Sequence, residues 1–193
     1  VNVIAVVNPS NGPGAWRSSA YTNGIAGLVS AGIRVIGYVA TGYGSRSPAT
    51  VQADIDRWRS FYPAVSGIFF DEQSNAAANV AFYRSLSQYA KGQGLTFTVG
   101  NPGTDTSESY VGALDTMLIY ENRGLPSMNA LAGWHAKYAP GNFGVIPYGA
   151  NMDATFVHNA RAYVGYVYIN NDVLPNPWDS LPPYFADLLA ALE

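Results

Sequence analysis

The chain is 193 residues long, 48% hydrophobic and only 12% charged, with 14 Tyr, 8 Phe, 4 Trp and no cysteine. A formal net charge of −3 and the lack of any Lys or Arg run exclude nucleic acid and anionic membrane surfaces as electrostatic partners. The missing cysteines exclude disulfides, thiolate metal sites and cysteine nucleophiles, no apolar stretch approaches the roughly 20 residues that cross a bilayer, and Val1 to Val7 lacks the basic flank and length of a signal peptide, which reads as a mature or trimmed soluble chain. The length suits one domain over residues 1–193 with a full core. Charged residues are about half the usual share of roughly 25%, so the surface is polar through Ser, Thr, Asn, Gln and Tyr. Asn8-Pro9-Ser10 is blocked as a glycan acceptor by its proline.

In chain order, short apolar runs predict buried parallel strands at Val3 to Asn8, Arg34 to Val39, Gly67 to Asp71, Leu95 to Gly100, Thr116 to Glu121, Phe143 to Tyr148 and Tyr163 to Asn170. Between them, three stripes fall at helical spacing: Val51, Ile55, Trp58 and Tyr62; Val80, Tyr83 and Leu86; Met128, Leu131, Trp134 and Tyr138. Such stripes read as packing faces. Alternating strands and helices imply a parallel sheet, open or closed. Turn-rich segments follow almost every strand: Asn8 to Gly14, Thr41 to Arg46, Asn101 to Gly103, Glu121 to Gly124, Tyr148 to Asn151 and Asn170 to Asp172. An open sheet uses mainly its switch point, whereas a barrel gathers all its βα loops around one mouth. The pattern therefore predicts an α/β fold of the (β/α) TIM-barrel type with seven βα units.

Neither glycine-rich loop ends in Gly-Lys-Ser/Thr or fits Gly-x-Gly-x-x-Gly with a later acid, so no nucleotide cofactor is expected. His135 and His158 fall on predicted helices and read as packing or surface residues, which leaves no histidine triad or zinc site. Asp54 and Asp56 are placed in the first turns of the helix after Ser45–Pro48, where carboxylates favour the dipole.

The run Gly67-Ile68-Phe69-Phe70 stops on Asp71 and Glu72, and Thr116-Met117-Leu118-Ile119-Tyr120 stops on Glu121. A strand-end acid commonly caps a helix or pairs with a base. Two such sites in so lightly charged a chain favour chemistry: strands delivering carboxylates to one rim supply the acid and the ionised partner that glycosidic-bond cleavage needs. Neighbouring side chains of a regular strand point to opposite faces, so Asp71 and Glu72 do not both face inward. Geometry does not say which of the two faces inward; Glu72 with Glu121 is taken as the working pair, with Asp71 an orienting neighbour that raises the acid's proton affinity by like-charge repulsion. A glycan groove also needs aromatic plates and neutral hydrogen-bonding groups, for which Tyr38, Tyr43, Tyr120, Tyr148 and Tyr168 with Asn8, Asn101 and Asn170 are the candidates. Arg46 and Arg123 read as holding a carboxylate in place, with substrate contact as the alternative. Two rival functions fit the same residues. One is a non-catalytic glycan-binding protein. The other is a metal-assisted enzyme with Asp71, Glu72 and Glu121 around a divalent ion, a thin ligand set because the strand between them ends in Asn101.

The strings NPSNGPG (8–14), YVATGYGSR (38–46), DIDRW (54–58), GIFFDE (67–72) and YE (120–121) together resemble the spherulin-4-like family, whose characterised members include fungal hydrolases of glycoside hydrolase family 135 that cut galactosaminogalactan. The resemblance runs in order over nearly the whole chain. It implies a (β/α)8 barrel, secreted or cell-surface associated, acting within α-1,4-linked N-acetylgalactosamine-containing polysaccharide; no cofactor is expected. It carries an Asp-Glu pair and a separate Glu over to Asp71, Glu72 and Glu121. Family members begin with a further strand and helix, so this chain shows seven units where eight are expected. An unclosed barrel leaves strand edges at Val3 to Asn8 and Tyr163 to Asn170, which predicts a homo-oligomer or a swapped closure.

Overall fold

The computed structural model describes all residues, 1–193. The chain forms two compact units, one of Asn2–Pro102 with Ser109–Asp115, the other of Gly103–Glu108 with Thr116–Glu193, to which Val1 also belongs.

The first unit holds four parallel strands in chain order, β1 (Ile4–Val7), β2 (Arg34–Ala40), β3 (Gly67–Asp71) and β4 (Phe97–Gly100). Three helices connect them, α1 (Ser19–Ser30), α2 (Pro48–Phe61) and α3 (Val80–Gly92). Val35, Ile36, Val39, Ile68 and Phe70 are fully buried, the continuous burial expected of parallel strands covered on both faces. Helix α2 starts where Ser47 Oγ accepts the Thr50 N–H at 3.2 Å and Pro48 takes the first helical position. It buries Val51, Ile55 and Trp58, the predicted stripe, with Tyr62 buried just past its end. The Trp58 indole lies flat against Gly37, where any Cβ would overlap the ring, and its Nε1–H donates to Tyr38 O at 2.8 Å. Gly37 is therefore a close-approach glycine. Helix α3 turns Tyr83, Leu86 and Ala90 inward.

Asp54 departs from the sequence reading. No acid lies in the first turn of α2; Asp54 sits deeper, nearly buried, and takes Arg46 Nη2 at 2.7 Å and Arg57 Nη1 at 3.1 Å. Its role is an ion-pair hub between loop and helix. Asp56 accepts the Tyr89 hydroxyl at 2.8 Å instead of serving a helix terminus.

The βα alternation also breaks once. After β4 no α-helix forms; a 3₁₀ turn at Glu108–Tyr110 replaces it. In the first unit, Tyr110, Ala113 and Leu114 fill the core, and Asp115 Oδ2 accepts both the N–H and the hydroxyl of Thr98 at 2.8 Å.

The second unit holds three parallel strands, β5 (Thr116–Tyr120), β6 (Phe143–Val145) and β7 (Tyr166–Val167), with helices α4 (Met128–Ala132), α5 (Ala154–Ala160) and α6 (Phe185–Ala191). Strands β6 and β7 are shorter than their apolar runs. The register slips by one residue between Leu118 and Tyr120, and Pro147 has no N–H to donate, which ends regular pairing in β6. Bonds to the run after β7 persist singly, from Tyr168 N–H to Val145 O and from Asn170 N–H to Pro147 O, both 3.0 Å. The predicted stripe from Met128 to Tyr138 is not one helix. Gly133, at φ −36° and ψ −133°, stops α4, and Trp134–Lys137 continues as a 3₁₀ turn. Helix α5 is capped by Asp153, whose Oδ1 accepts the N–H groups of Thr155 and Phe156 at 2.8 and 3.0 Å.

Candidate active site at the strand ends

Four buried residues lead β3 to Asp71, whose backbone pairs with Ala40 of β2. Two neutral donors from flanking strands hold its carboxylate: Tyr38 Oη–H donates to Oδ2 at 2.6 Å, and Asn101 Nδ2–H donates to Oδ1 at 2.8 Å. Tyr38 lies in β2, and Asn101 follows β4 directly. The nearly buried Asn101 also donates its backbone N–H to Phe70 O, and its carbonyl accepts Gln73 N–H, both at 2.9 Å. Neither Asp71 nor Glu72 belongs to an ion pair. The carboxylate of Asp71 is thus oriented by hydrogen bonds from neutral groups, with no cation spent on it.

Glu72 lies just beyond the strand at φ +51°, in the left-handed region. For a residue with a Cβ that conformation costs roughly 1–2 kcal/mol, so surrounding bonds must hold it. They come from the loop after β2. The Glu72 carbonyl accepts Tyr43 N–H at 2.7 Å and the Thr41 hydroxyl at 2.7 Å, while Oε2 accepts Gly42 N–H at 3.1 Å. The strand-alternation argument applies only to extended residues; the turn at Glu72 releases it from that rule. Tyr43 itself sits at φ +54° and is 63% exposed.

Beneath this corner lie two residues that the sequence reading placed only in a loop and a packing stripe. Thr41 and Tyr83 are fully buried, with their hydroxyls 2.7 Å apart. Tyr83 Oη accepts Ser74 N–H at 2.8 Å, and burial pushes its phenol above the usual tyrosine range. The available signal was the polar Thr41 ending an otherwise apolar β2 run. Gln73, fully buried, packs against Gly100, where a Cβ would collide with its Oε1.

In the second unit, Glu121 follows β5 half-buried. A Cβ built on Gly103, at φ +70°, would stand 3.9 Å from Glu121 Oε2, so the carboxylate lies close over that glycine. Asn122 Nδ2 reaches Gly103 O at 3.4 Å. Tyr120 donates its hydroxyl to Gly124 O at 3.1 Å, and burial raises its pKa. Arg123 bridges in parallel to Tyr148, and its side chain lies along Gly149. Tyr148 and Tyr168 both pack on Trp178, at ring-centroid distances of 6.4 and 6.1 Å, and Trp178 remains 40% exposed. Its place beside two candidate tyrosines gave no signal in the sequence, because it lies in a proline-rich loop outside every periodic segment.

Two asparagines among the candidates serve their own loops. Asn8 Oδ1 accepts Gly12 N–H at 2.9 Å, closing the turn after β1. Asn170 is fully buried, its amide bonded to Pro177 O and its Oδ1 accepting Asp172 N–H at 3.0 Å. Arg46 holds a carboxylate, that of Asp54, and also donates to Ala40 O. Of the histidines, His158 is exposed on α5, while His135 is buried against Trp134 and Phe143, 2.9 Å from Asp105 Oδ1.

Parallel strands that end on acids, with tyrosines and asparagines on the following loops, define an α/β protein with its candidate functional groups at the carboxyl ends of its sheet strands. The chain belongs to the spherulation-specific family 4, whose model matches residues 1–192. It is 37% identical over 142 residues to Spherulin-4 of Physarum polycephalum, a match covering 72% of this chain and 42% of that protein. The chain thus spans less than half the length of that relative. Among solved structures, it is similar to Aspergillus clavatus Sph3, crystallised in complex with GalNAc, with a TM-score of 0.83 and 23% identity over 100% of this chain and 86% of that one. A protein assigned as a phosphonomutase from Burkholderia cenocepacia J2315 is similar at a TM-score of 0.53 and 18% identity, over 90% and 74% of the two chains. These likenesses show a shared α/β fold.

Proposed function

We propose that the protein is a secreted or cell-surface glycoside hydrolase that cleaves within a polysaccharide containing N-acetylgalactosamine or galactosamine. The observation that carries this reading is the Asp71–Glu72 corner, two carboxylates at one strand end, held by neutral donors from the adjacent strands. Family membership and the GalNAc complex of the structurally similar Sph3 supply the substrate class. In this reading the seven units are seven of a TIM-type barrel's eight.

One glutamate protonates the glycosidic oxygen as the bond to the anomeric carbon breaks. The other supports the oxocarbenium-like centre and either attacks it or activates the water that does. Asp71, fixed by Tyr38 and Asn101, stands at the same strand end as Glu72 as an acceptor for a sugar hydroxyl. A carboxyl separation of about 5–5.5 Å gives retention, and roughly 6.5–9.5 Å gives inversion. The exposed faces of Tyr43 and Trp178, with Tyr120, Tyr148 and Tyr168, supply flat apolar surface for sugar rings.

The test is reducing-end release from a panel of N-acetylgalactosamine- and galactosamine-rich polymers. Wild type releases product, while Glu72→Gln and Glu121→Gln each lose about 10²–10⁴-fold in rate and still bind polymer. Wild type that binds polymer without releasing ends makes the protein a glycan-binding module instead. Activity abolished by a chelator makes it metal-assisted.

A further inference from the structure

We propose that Thr41 is a positioning residue for Glu72, acting through a buried hydroxyl chain that locks the left-handed turn from which the carboxylate projects. The inference rests on the hydrolase reading and adds to it a component remote from substrate. Tyr83 Oη accepts Ser74 N–H at 2.8 Å and lies 2.7 Å from Thr41 Oγ1, where either hydroxyl can donate, with Glu72 O a further acceptor for Tyr83 at 3.4 Å. Thr41 Oγ1 donates to Glu72 O at 2.7 Å, with Asp71 O at 2.9 Å as the second carbonyl in reach.

The same carbonyl of Glu72 takes Tyr43 N–H at 2.7 Å, and the Thr41 N–H takes Asp71 O at 3.0 Å. Both carbonyls of the Asp71–Glu72 pair are therefore clamped to one three-residue segment, Thr41–Tyr43. A return of Glu72 to the ordinary right-handed or extended region would swing its carbonyl off both donors. It would also withdraw Oε2 from Gly42 N–H. Thr41 and Tyr83 are both fully buried, so water cannot replace either hydroxyl without opening the core. Thr41 touches no reacting atom in this arrangement. It sets where the reacting carboxylate points, and an error of about 1 Å in such a placement costs on the order of 100-fold in rate.

The experiment compares Thr41→Val, Thr41→Ser and Tyr83→Phe with wild type and with Glu72→Gln. Reducing-end release from an N-acetylgalactosamine polymer is followed alongside amide hydrogen exchange at Gly42 and Tyr43. Thr41→Val removes the hydroxyl at nearly constant volume. It is expected to lower kcat by about 10–100-fold with KM changed less than about threefold, and to speed exchange at Tyr43 by at least about tenfold while the α3 amides stay protected. Thr41→Ser, which keeps the hydroxyl, is expected to restore kcat to within about threefold. Tyr83→Phe still leaves Thr41 a proton to donate and is expected to fall between the two. A Thr41→Val chain that folds, exchanges normally at Tyr43 and keeps its kcat overturns the proposal while leaving the hydrolase reading intact. If Thr41→Val fails to fold, a Thr41→Ser chain as impaired as Tyr83→Phe overturns it. An inactive wild type, or a fully active Glu72→Gln, removes the hydrolase reading and this inference with it.

Discussion

At the scale of single residues, Asp71 and Glu72 are neighbours that the backbone treats differently: one is the last extended residue of β3, the other a left-handed turn. Asp71 receives two donors and needs both oxygens as acceptors. Asp71→Asn removes the charge, and its amide can keep accepting from Asn101 only by turning N–H towards Tyr38, whose hydroxyl must then accept instead of donate. We expect Asp71→Asn to lose on the order of 100-fold in kcat/KM, and Tyr38→Phe, which removes one bond to a charged acceptor, to lose about 10-fold or more, both measured on one polymer at one pH. Equal activity of both variants with wild type would remove Asp71 from the site. Tyr110 supports a second prediction. Burial holds its phenol up at about 12, against an ordinary 10.0. Below pH 10 folded and unfolded chains both keep that proton, and stability is untouched. As pH rises from 10 towards 12 the unfolded chain ionises first, so stability is lost across that window. Tyr83 shifts in the same direction. Urea midpoints at about pH 9 and about pH 11.5 should therefore fall apart in wild type and lie closer together in Tyr110→Phe.

At the scale of elements, the boundary of β3 was legible to the residue, because the run from Gly67 is apolar, buried on both faces and stopped abruptly by acids. The α2 stripe was legible for a similar reason: Val51, Ile55 and Trp58 pack against a sheet that covers the whole helix face. Close approach there is absolute, since Gly37 leaves room only for the Trp58 ring. Gly37→Ala should cost about 1–3 kcal/mol or more by overpacking, read as a lower urea midpoint at unchanged slope, whereas Gly92→Ala, at a position with open space around it, should cost far less. Other elements were hidden because their limits are not written in hydrophobicity. Strand β6 ends through a register slip opposite Ile119 and a proline at 147, features of pairing that a single apolar run does not disclose. The stripe through Met128 and Tyr138 keeps helical spacing across a backbone break at Gly133, since a 3₁₀ turn returns side chains to nearly the same face. The candidate acids were readable from strand ends; the clamp on Glu72 was not, because Thr41 and Tyr83 are 42 residues apart and meet only when α3 packs on the sheet.

At the scale of the whole molecule, charge is the informative quantity. Only 12% of residues are charged, the net charge is −3, and the isoelectric point is about 5.3. A surface so sparsely charged gives little long-range steering to any polymer and none to a polyanion. A neutral, fully N-acetylated glycan would then be bound by ring stacking and neutral hydrogen bonds, which salt scarcely screens. A partly deacetylated galactosamine polymer is a polycation and, at the proposed site, would meet carboxylates that carry no internal counter-cation, Asp71 and Glu72. Raising ionic strength from about 0.05 to about 0.2 M shortens the screening length from roughly 14 to roughly 7 Å, enough to weaken rim contacts while sparing those in a desolvated groove. The expected outcome is a KM for the acetylated polymer that changes less than about twofold over that range, and a KM for the deacetylated polymer that rises several-fold. Equal and steep salt dependence for both would mean that the protein recognises its ligand through a charged surface elsewhere, and would move the binding site away from the strand-end tyrosines.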